Sequence, residues 1–221
     1  MNHTSKIAQR ILLFAAGLFM MGLGIAMSTR PRLGTSPITS LPYVTTMFIP
    51  WTLGVATIVV NVLFILAQAA ILKRRFTLRY LVQLPMLFLF GFFIDLGMWI
   101  TSFWTPELYV LRLIENVIGC AFIASGIFLQ LRADITMMPG DSLIRVISEE
   151  FHFPFGTVKI CFDCFIVLSA VLFSLCFLHT VEGVREGTVL AALLVGTFIK
   201  ALNAIYTRIA RKNNHGEIQD N

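Results

Sequence analysis

Long apolar runs alternate with short polar punctuation along this chain, and six of the runs reach the length of a membrane-spanning helix. They are Ile11–Ser28, Leu53–Leu72, Leu81–Ile100, Leu111–Leu131, Gly156–Leu178 and Thr188–Thr207. Each lies near the roughly 20 mainly apolar residues that a helix needs to cross a bilayer. Two further apolar stretches are interrupted. Thr29–Thr52 carries Pro31, Gly34, Pro37, Pro42 and Pro50, and Arg132–Phe155 carries Pro139, Gly140 and Pro154. Neither insert suits an ordinary span, but each has room for a half-helix of about 10–13 residues. The pattern predicts an all-α polytopic membrane protein with six transmembrane helices and two broken, re-entrant inserts.

Composition strengthens that picture. Hydrophobic residues make up 57% of the 221 and charged residues 13%, with a mean hydropathy of +0.82. Soluble domains run at about 45–50% apolar and about 25% charged. No long polar stretch remains for a soluble domain, so residues 1–221 read as a single membrane domain whose first partner is the lipid bilayer. The apolar run after MNHTSKIAQR lacks a small-x-small cleavage site and reads as the first span, not as a signal peptide.

The net charge of +5 gathers beside the spans: Lys6 and Arg10, then Lys73, Arg74, Arg75 and Arg79, then Arg208, Arg211 and Lys212. Such clusters normally mark the cytoplasmic side. They share one side only if each insert returns to the side it left, which places both termini in the cytoplasm. Arg30 and Arg32 then lie outside, within the first insert. No basic, aromatic-interleaved soluble face offers itself to nucleic acid.

The chain also matches itself at an offset of 102. Arg10/Arg112, Gly17/Gly119, Gly24/Gly126, Arg30/Arg132, Pro37/Pro139, Ser40/Ser142 and Gly54/Gly156 pair in this register, and Asn61 falls on Asp163. A three-residue slip then aligns GFFID (Gly91–Asp95) with GTFIK (Gly196–Lys200). Repeat 1 covers about 10–101, repeat 2 about 112–208, and 209–221 forms a cytoplasmic tail. Three spans per repeat is an odd number, so the repeats are expected to be inverted. In transporters of that design the broken helices meet near the midplane and mark the binding site.

Candidate chemistry therefore centres on the inserts. In STRPRLGTSPITSLP, Gly34 permits a turn, Ser36 can N-cap and Pro37 suits the first helical position. In the second insert Pro139 holds the matching place, with Gly140 and Asp141 in the first turn. Half-helix N-termini offer N–H groups and partial positive charge to an anion. Thr35, Ser36, Thr39, Ser40 and Ser142 add hydroxyls, which read equally as caps of their own helices. Arg30 and Arg132 either clamp an anion or anchor at the interface. Arg132 has a further option in Asp134, and Arg145 in Glu149.

Ionisable residues inside spans are functional candidates because they are costly there. Asp163 leads, for contact with solute or proton, with Asn61 and Gln83 as neutral companions. Asp95 and Lys200 are candidates for ion coupling; their equivalent positions and opposite charges raise an ion pair, which inversion of the repeats weakens. Lys159 and Glu115, nearer helix ends, are expected to snorkel or pair. Cys120, Cys161, Cys164 and Cys176 lie in apolar stretches and read as small hydrophobes, not as a metal or redox set. No nucleophile elbow, Walker loop, dinucleotide or metal-ligand signature is present, so no enzymatic activity and no cofactor is expected.

GLGIAMSTRPRLGTSPITSLPYV, FGFFIDL, MMPGDSLIRVIS, FGTVKICFDC and GVREGTVLAALLVG together resemble the YczE/YyaS/YitT-type bacterial membrane proteins, and the YczE-like branch most. The resemblance spans about Arg10 to Leu202 and implies a small multi-pass protein of the bacterial inner membrane. Within GVREGT, Arg185 and Glu186 become candidates for a gate or a structural ion pair. Pro31-Arg32 departs from the small apolar residue that the resemblance leads one to expect. The leading expectation is a secondary transporter or facilitator of a small polar or anionic solute, with a homodimer as a further option. The alternative is a non-transporting membrane partner of a biosynthetic or secretion complex.

Overall fold

A computed structural model describes residues 3–104 and 106–219; the side chains of residues 3–6, 79 and 209–219 lie outside the description. Those of Lys6, Arg79, Arg211 and Lys212 are therefore outside it. Every element among the described residues is helical: α1 (His3–Thr29), α2 (Pro37–Thr45), α3 (Leu53–Leu72), α4 (Leu78–Leu81), α5 (Gln83–Ile100), α6 (Tyr109–Ala133), α7 (Pro139–Phe151), α8 (Phe155–Leu178) and α9 (Glu186–Gln219). The stretches Ile7–Thr29, Leu53–Arg75, Gln83–Phe103, Tyr109–Ala133, Phe155–Leu178 and Glu186–Arg208 are long and apolar enough to cross a membrane.

Both inserts form their half-helix where proline allows it. Ser36 (φ −60°, ψ 150°) and Met138 (φ −61°, ψ 148°) are extended, and Pro37 and Pro139 follow at the first helical position. There the missing N–H costs nothing and the fixed φ favours the helix. The third span opens at Gln83 instead of Leu81. Pro85 lies within its first turn, and a proline ring clashes with the carbonyl four residues back, here Leu81. That separates α4 from α5.

The centre of the bundle is the crossing of α1 with α6, which glycines bring close. A Cβ on Gly17 would lie 2.8 Å from the Gly126 carbonyl oxygen, and one on Gly24 would lie 2.7 Å from that of Gly119. The crossing is antiparallel, since the earlier glycine of α1 meets the later one of α6. Phe14, Leu18, Met21 and Ile25 fill the core here with Phe90, Ile94 and Ile123. A second core gathers Val60 and Phe64 of α3, Leu143 and Ile144 of α7, and Phe162 and Ile166 of α8.

Chain ends and turns sort to two ends of the bundle. At one, Arg10 pairs with Asp134 (2.9 Å) and Arg75 with Glu150 (2.6 Å). At the other, Gly97 approaches Gly22 and Ala26, and Asp95 reaches the start of α3. The last turn of α1 and the first turn of α3 therefore share an end, and the insert between them comes back to where it began.

Candidate functional site

The tips of the two half-helices meet inside the bundle, where the Ile38 side chain lies against Gly140. Around them the repeats place equivalent residues in equivalent positions but with different chemistry.

On the first side the hydroxyls turn inward on each other. Thr35 and Thr39 share a hydrogen bond of 2.6 Å, Ser36 and Thr39 one of 2.8 Å, and Ser40 donates to the Pro37 carbonyl at 2.7 Å. Ser36 occupies the N-cap position, yet its hydroxyl serves Thr39 instead of a backbone N–H. Asn61 is buried and donates to the Thr57 carbonyl at 2.9 Å. Every polar group here is neutral.

On the second side the equivalents of Thr39, Thr57 and Asn61 are Asp141, Lys159 and Asp163. The Lys159 ammonium lies 3.0 Å from Asp163 and 3.7 Å from Asp141, joining α7 to α8 through one cation and two carboxylates. All three side chains are between about a quarter and a half exposed. Lys159 thus pairs, as its position near a helix end leads one to expect. Ser142 lies deeper: it donates to Gln68 (2.9 Å) and accepts from Gln83 (3.0 Å), while Gln68 also donates to the Pro139 carbonyl (3.0 Å). The tip of α7 is therefore fastened by two buried glutamines. The sequence reading passed over Gln68; a lone amide in an otherwise apolar stretch of α3 was the available signal.

Several candidates lie away from this junction. Arg30 donates to the Thr101 hydroxyl (2.8 Å) and the Met98 carbonyl, which fastens the end of α1 to that of α5. Arg132 stacks over Tyr206 of α9 at 3.4 Å and does not pair with Asp134, which instead bonds Arg10. With the three-residue slip, Thr101 and Tyr206 are equivalent, so both arginines join the first helix of their repeat to the last. Arg185 and Glu186 approach each other at 3.5 Å at the start of α9, and Arg145 pairs with Glu149 at 2.8 Å as expected.

Asp95 accepts from the Thr52 hydroxyl (2.6 Å) and from the Gly54 N–H (2.8 Å), capping the N-terminus of α3 from the neighbouring α5. Lys200 is exposed, and among the described residues it makes no ion pair with Asp95 or any other carboxylate. Glu115 departs from expectation most. It is 4% exposed, and neither carboxylate oxygen has a partner among the described residues, so it neither snorkels nor pairs. The cysteines divide: Cys120 is buried, whereas Cys161, Cys164 and Cys176 lie on the exposed apolar surface.

Six spanning-length apolar helices, with lipid-exposed faces bearing Leu63, Leu66, Phe165, Leu168 and Leu193, define a multi-pass integral membrane protein. The chain belongs to a family of unknown function (DUF6198), whose model matches residues 8–204. No curated protein and no solved structure matches it.

Proposed function

We infer that the protein is a secondary transporter or facilitator of a small anionic solute, built as two inverted repeats that exchange conformations. One observation carries this reading: a helix contact made in repeat 1 is open at the equivalent place in repeat 2. Gly54 of α3 and Gly91 of α5 are pressed together; a Cβ on Gly91 would lie 2.5 Å from the Ile58 side chain. Their equivalents, Gly156 of α8 and Gly196 of α9, have nothing within 4 Å of such a Cβ. Related sequences in two packings supply the discrete two-state element that alternating access requires.

The inverted arrangement draws support from the central crossing. Gly17/Gly126 and Gly24/Gly119 are one contact seen from both repeats, and the antiparallel direction follows if the repeats are related by a two-fold axis. Ile38 and Gly140, themselves equivalent, touch where that axis would pass. With Arg10 and Lys73–Arg75 toward the cytoplasm, both inserts are re-entrant and both termini cytoplasmic. The family resemblance then points to the bacterial inner membrane.

Charge favours an anion as the solute. In repeat 1, Asp95 caps the N-terminus of α3 across the closed contact. In repeat 2 the equivalent residue is Lys200, so closing α9 on α8 brings a cation toward a helix N-terminus that is itself partly positive. A carboxylate or phosphate of the solute, held between Lys200 and the first N–H groups of α8, supplies the missing negative charge. The junction of Asp141, Lys159, Asp163 and Ser142 lies on the other flank of α8 and α7.

Disulfide trapping in native membranes tests this reading. Cysteine pairs replace Gly54/Gly91 or Gly156/Gly196 in a background lacking the four native cysteines. The first pair is expected to cross-link without added solute. The second is expected to do so within one chain only when members of a panel of small carboxylates and phosphates are supplied. A Gly156/Gly196 pair that never closes within a chain, or that links two chains, argues against exchange. A scaffold would show one fixed pattern.

A further inference from the structure

A second cavity lies apart from the half-helix junction, and it holds the orphaned Glu115. Its volume is about 280 Å³, between the ends of α1 and α5 and the beginning of α6. Met27, Ile100, Leu111 and Ile114 contribute apolar wall, Phe103 and Trp104 form an aromatic side, and Glu115 and Thr101 are the polar lining residues. Leu111, Ile114, Phe103 and Trp104 are also exposed on the outer apolar surface, so the cavity opens sideways toward lipid.

Glu115 makes this more than a groove. A carboxylate inside a span is costly unless paired, and both of its oxygens are buried and without a partner among the described residues. Arg30, whose charge Glu115 feels, commits its guanidinium to Thr101 and the Met98 carbonyl. Arg112, one turn earlier on α6, donates to the Pro106 carbonyl. Neither cation forms an ion pair with Glu115. The equivalent position in repeat 1 is Leu13, so the carboxylate is no part of the repeated framework.

We propose that this cavity binds an alkylated ammonium ion carried on an apolar body, its charge facing Glu115 and its substituents against Phe103 and Trp104. A carboxylate supplies the counter-charge, aromatic faces attract a quaternary ammonium through their quadrupoles, and the remaining wall accepts hydrocarbon. The volume suits a group of benzyltrimethylammonium size, and the lateral opening suits entry from the bilayer. The inference stands independently of transport, and the site is separate from the one proposed for an anionic solute.

Calorimetric titration of the purified full chain in uncharged detergent with benzyltrimethylammonium tests it. Saturable binding is expected, weakened at least about tenfold in Glu115→Gln, the scale of losing one desolvated charge partner. The uncharged carbon isostere, neopentylbenzene, is expected to bind the wild-type protein at least about tenfold more weakly than the cation. Should Glu115→Gln fail to fold, the wild-type comparison of cation and isostere still decides. Absence of saturable binding, equal affinity of the two probes, or undiminished affinity in a folded Glu115→Gln protein each overturns the proposal. Repeating the titration in phosphatidylglycerol nanodiscs, with and without phosphatidylethanolamine, separates the natural sources. Competition by the latter identifies a lipid headgroup as occupant, and its absence identifies a free ammonium compound; both outcomes support an ammonium site.

Discussion

The two half-helix junctions share a sequence register and a packing plan, and they differ in what they bury. Around α2 the trio Thr39, Thr57 and Asn61 is neutral and closed on itself; around α7 the trio Asp141, Lys159 and Asp163 is charged and partly open. The flanking helices follow suit, with α5 packed on α3 and capping it, and α9 standing off from α8. A neutral, self-satisfied junction can be sealed at no electrostatic cost. A charged one keeps its access to water until something neutralises it. The difference assigns the fixed role to repeat 1 and the working role to repeat 2.

The strongest way to break this comparison is to move a charge to the sealed side. Asn61→Asp places a carboxylate near the middle of α3 in a buried site, and should cost about 2.5–3.5 kcal/mol. Adding Thr57→Lys in the same chain should recover part of that, by recreating the Lys159–Asp163 spacing. Thermal midpoints in detergent measure both.

Next come the glycine contacts. Gly54→Leu should destabilise by about 1–3 kcal/mol through overpacking against Gly91 and Asp95. Gly156→Leu, facing open space, should stay within about 0.5 kcal/mol while lowering solute flux. Equal destabilisation by the two would erase the asymmetry.

Ser142→Ala, which leaves Gln68 and Gln83 each short of a partner, should cost about 1–3 kcal/mol. Its equivalent Ser40→Ala removes one local bond to Pro37 and should cost about 0.5–1.5 kcal/mol. Equilibrium unfolding of the pair gives the difference directly.

The smallest stability effect belongs to Asp163→Asn. Lys159 keeps Asp141, and partly exposed ion pairs contribute up to about 1 kcal/mol. Proteoliposome uptake of small anions should nevertheless change, because Asn restores the neutral repeat 1 chemistry on the working side. Unchanged uptake would remove Asp163 from the site.

Much of this architecture was legible in the chain. Hydrophobic run length is a local property, and it placed the six spans to within a few residues. Pro37 and Pro139 marked the half-helix starts because proline's φ and missing N–H act on the nearest residues alone. The register of shared Gly, Pro and Arg positions picked out Gly17, Gly24, Gly119 and Gly126, which prove to be the central crossing. The ion pairs at helical spacing, Arg145–Glu149 and Lys159–Asp163, were equally readable.

Choice of partner across helices was not readable, because it depends on which faces meet. Arg132 had Asp134 two residues away and took Tyr206 instead; Asp134 went to Arg10 on another helix. Asp95 proved to be a cap for a helix it does not belong to. Glu115 looked like a residue that would reach for water, and tertiary packing sealed it beside a cavity without a counter-charge. The amino-acid sequence by itself determined how many helices cross, where two break and that the halves are related. Only the tertiary structure decided that one half is closed and the other open, since Gly54 and Gly156 are the same residue in the same register, distinguished by what packs against them.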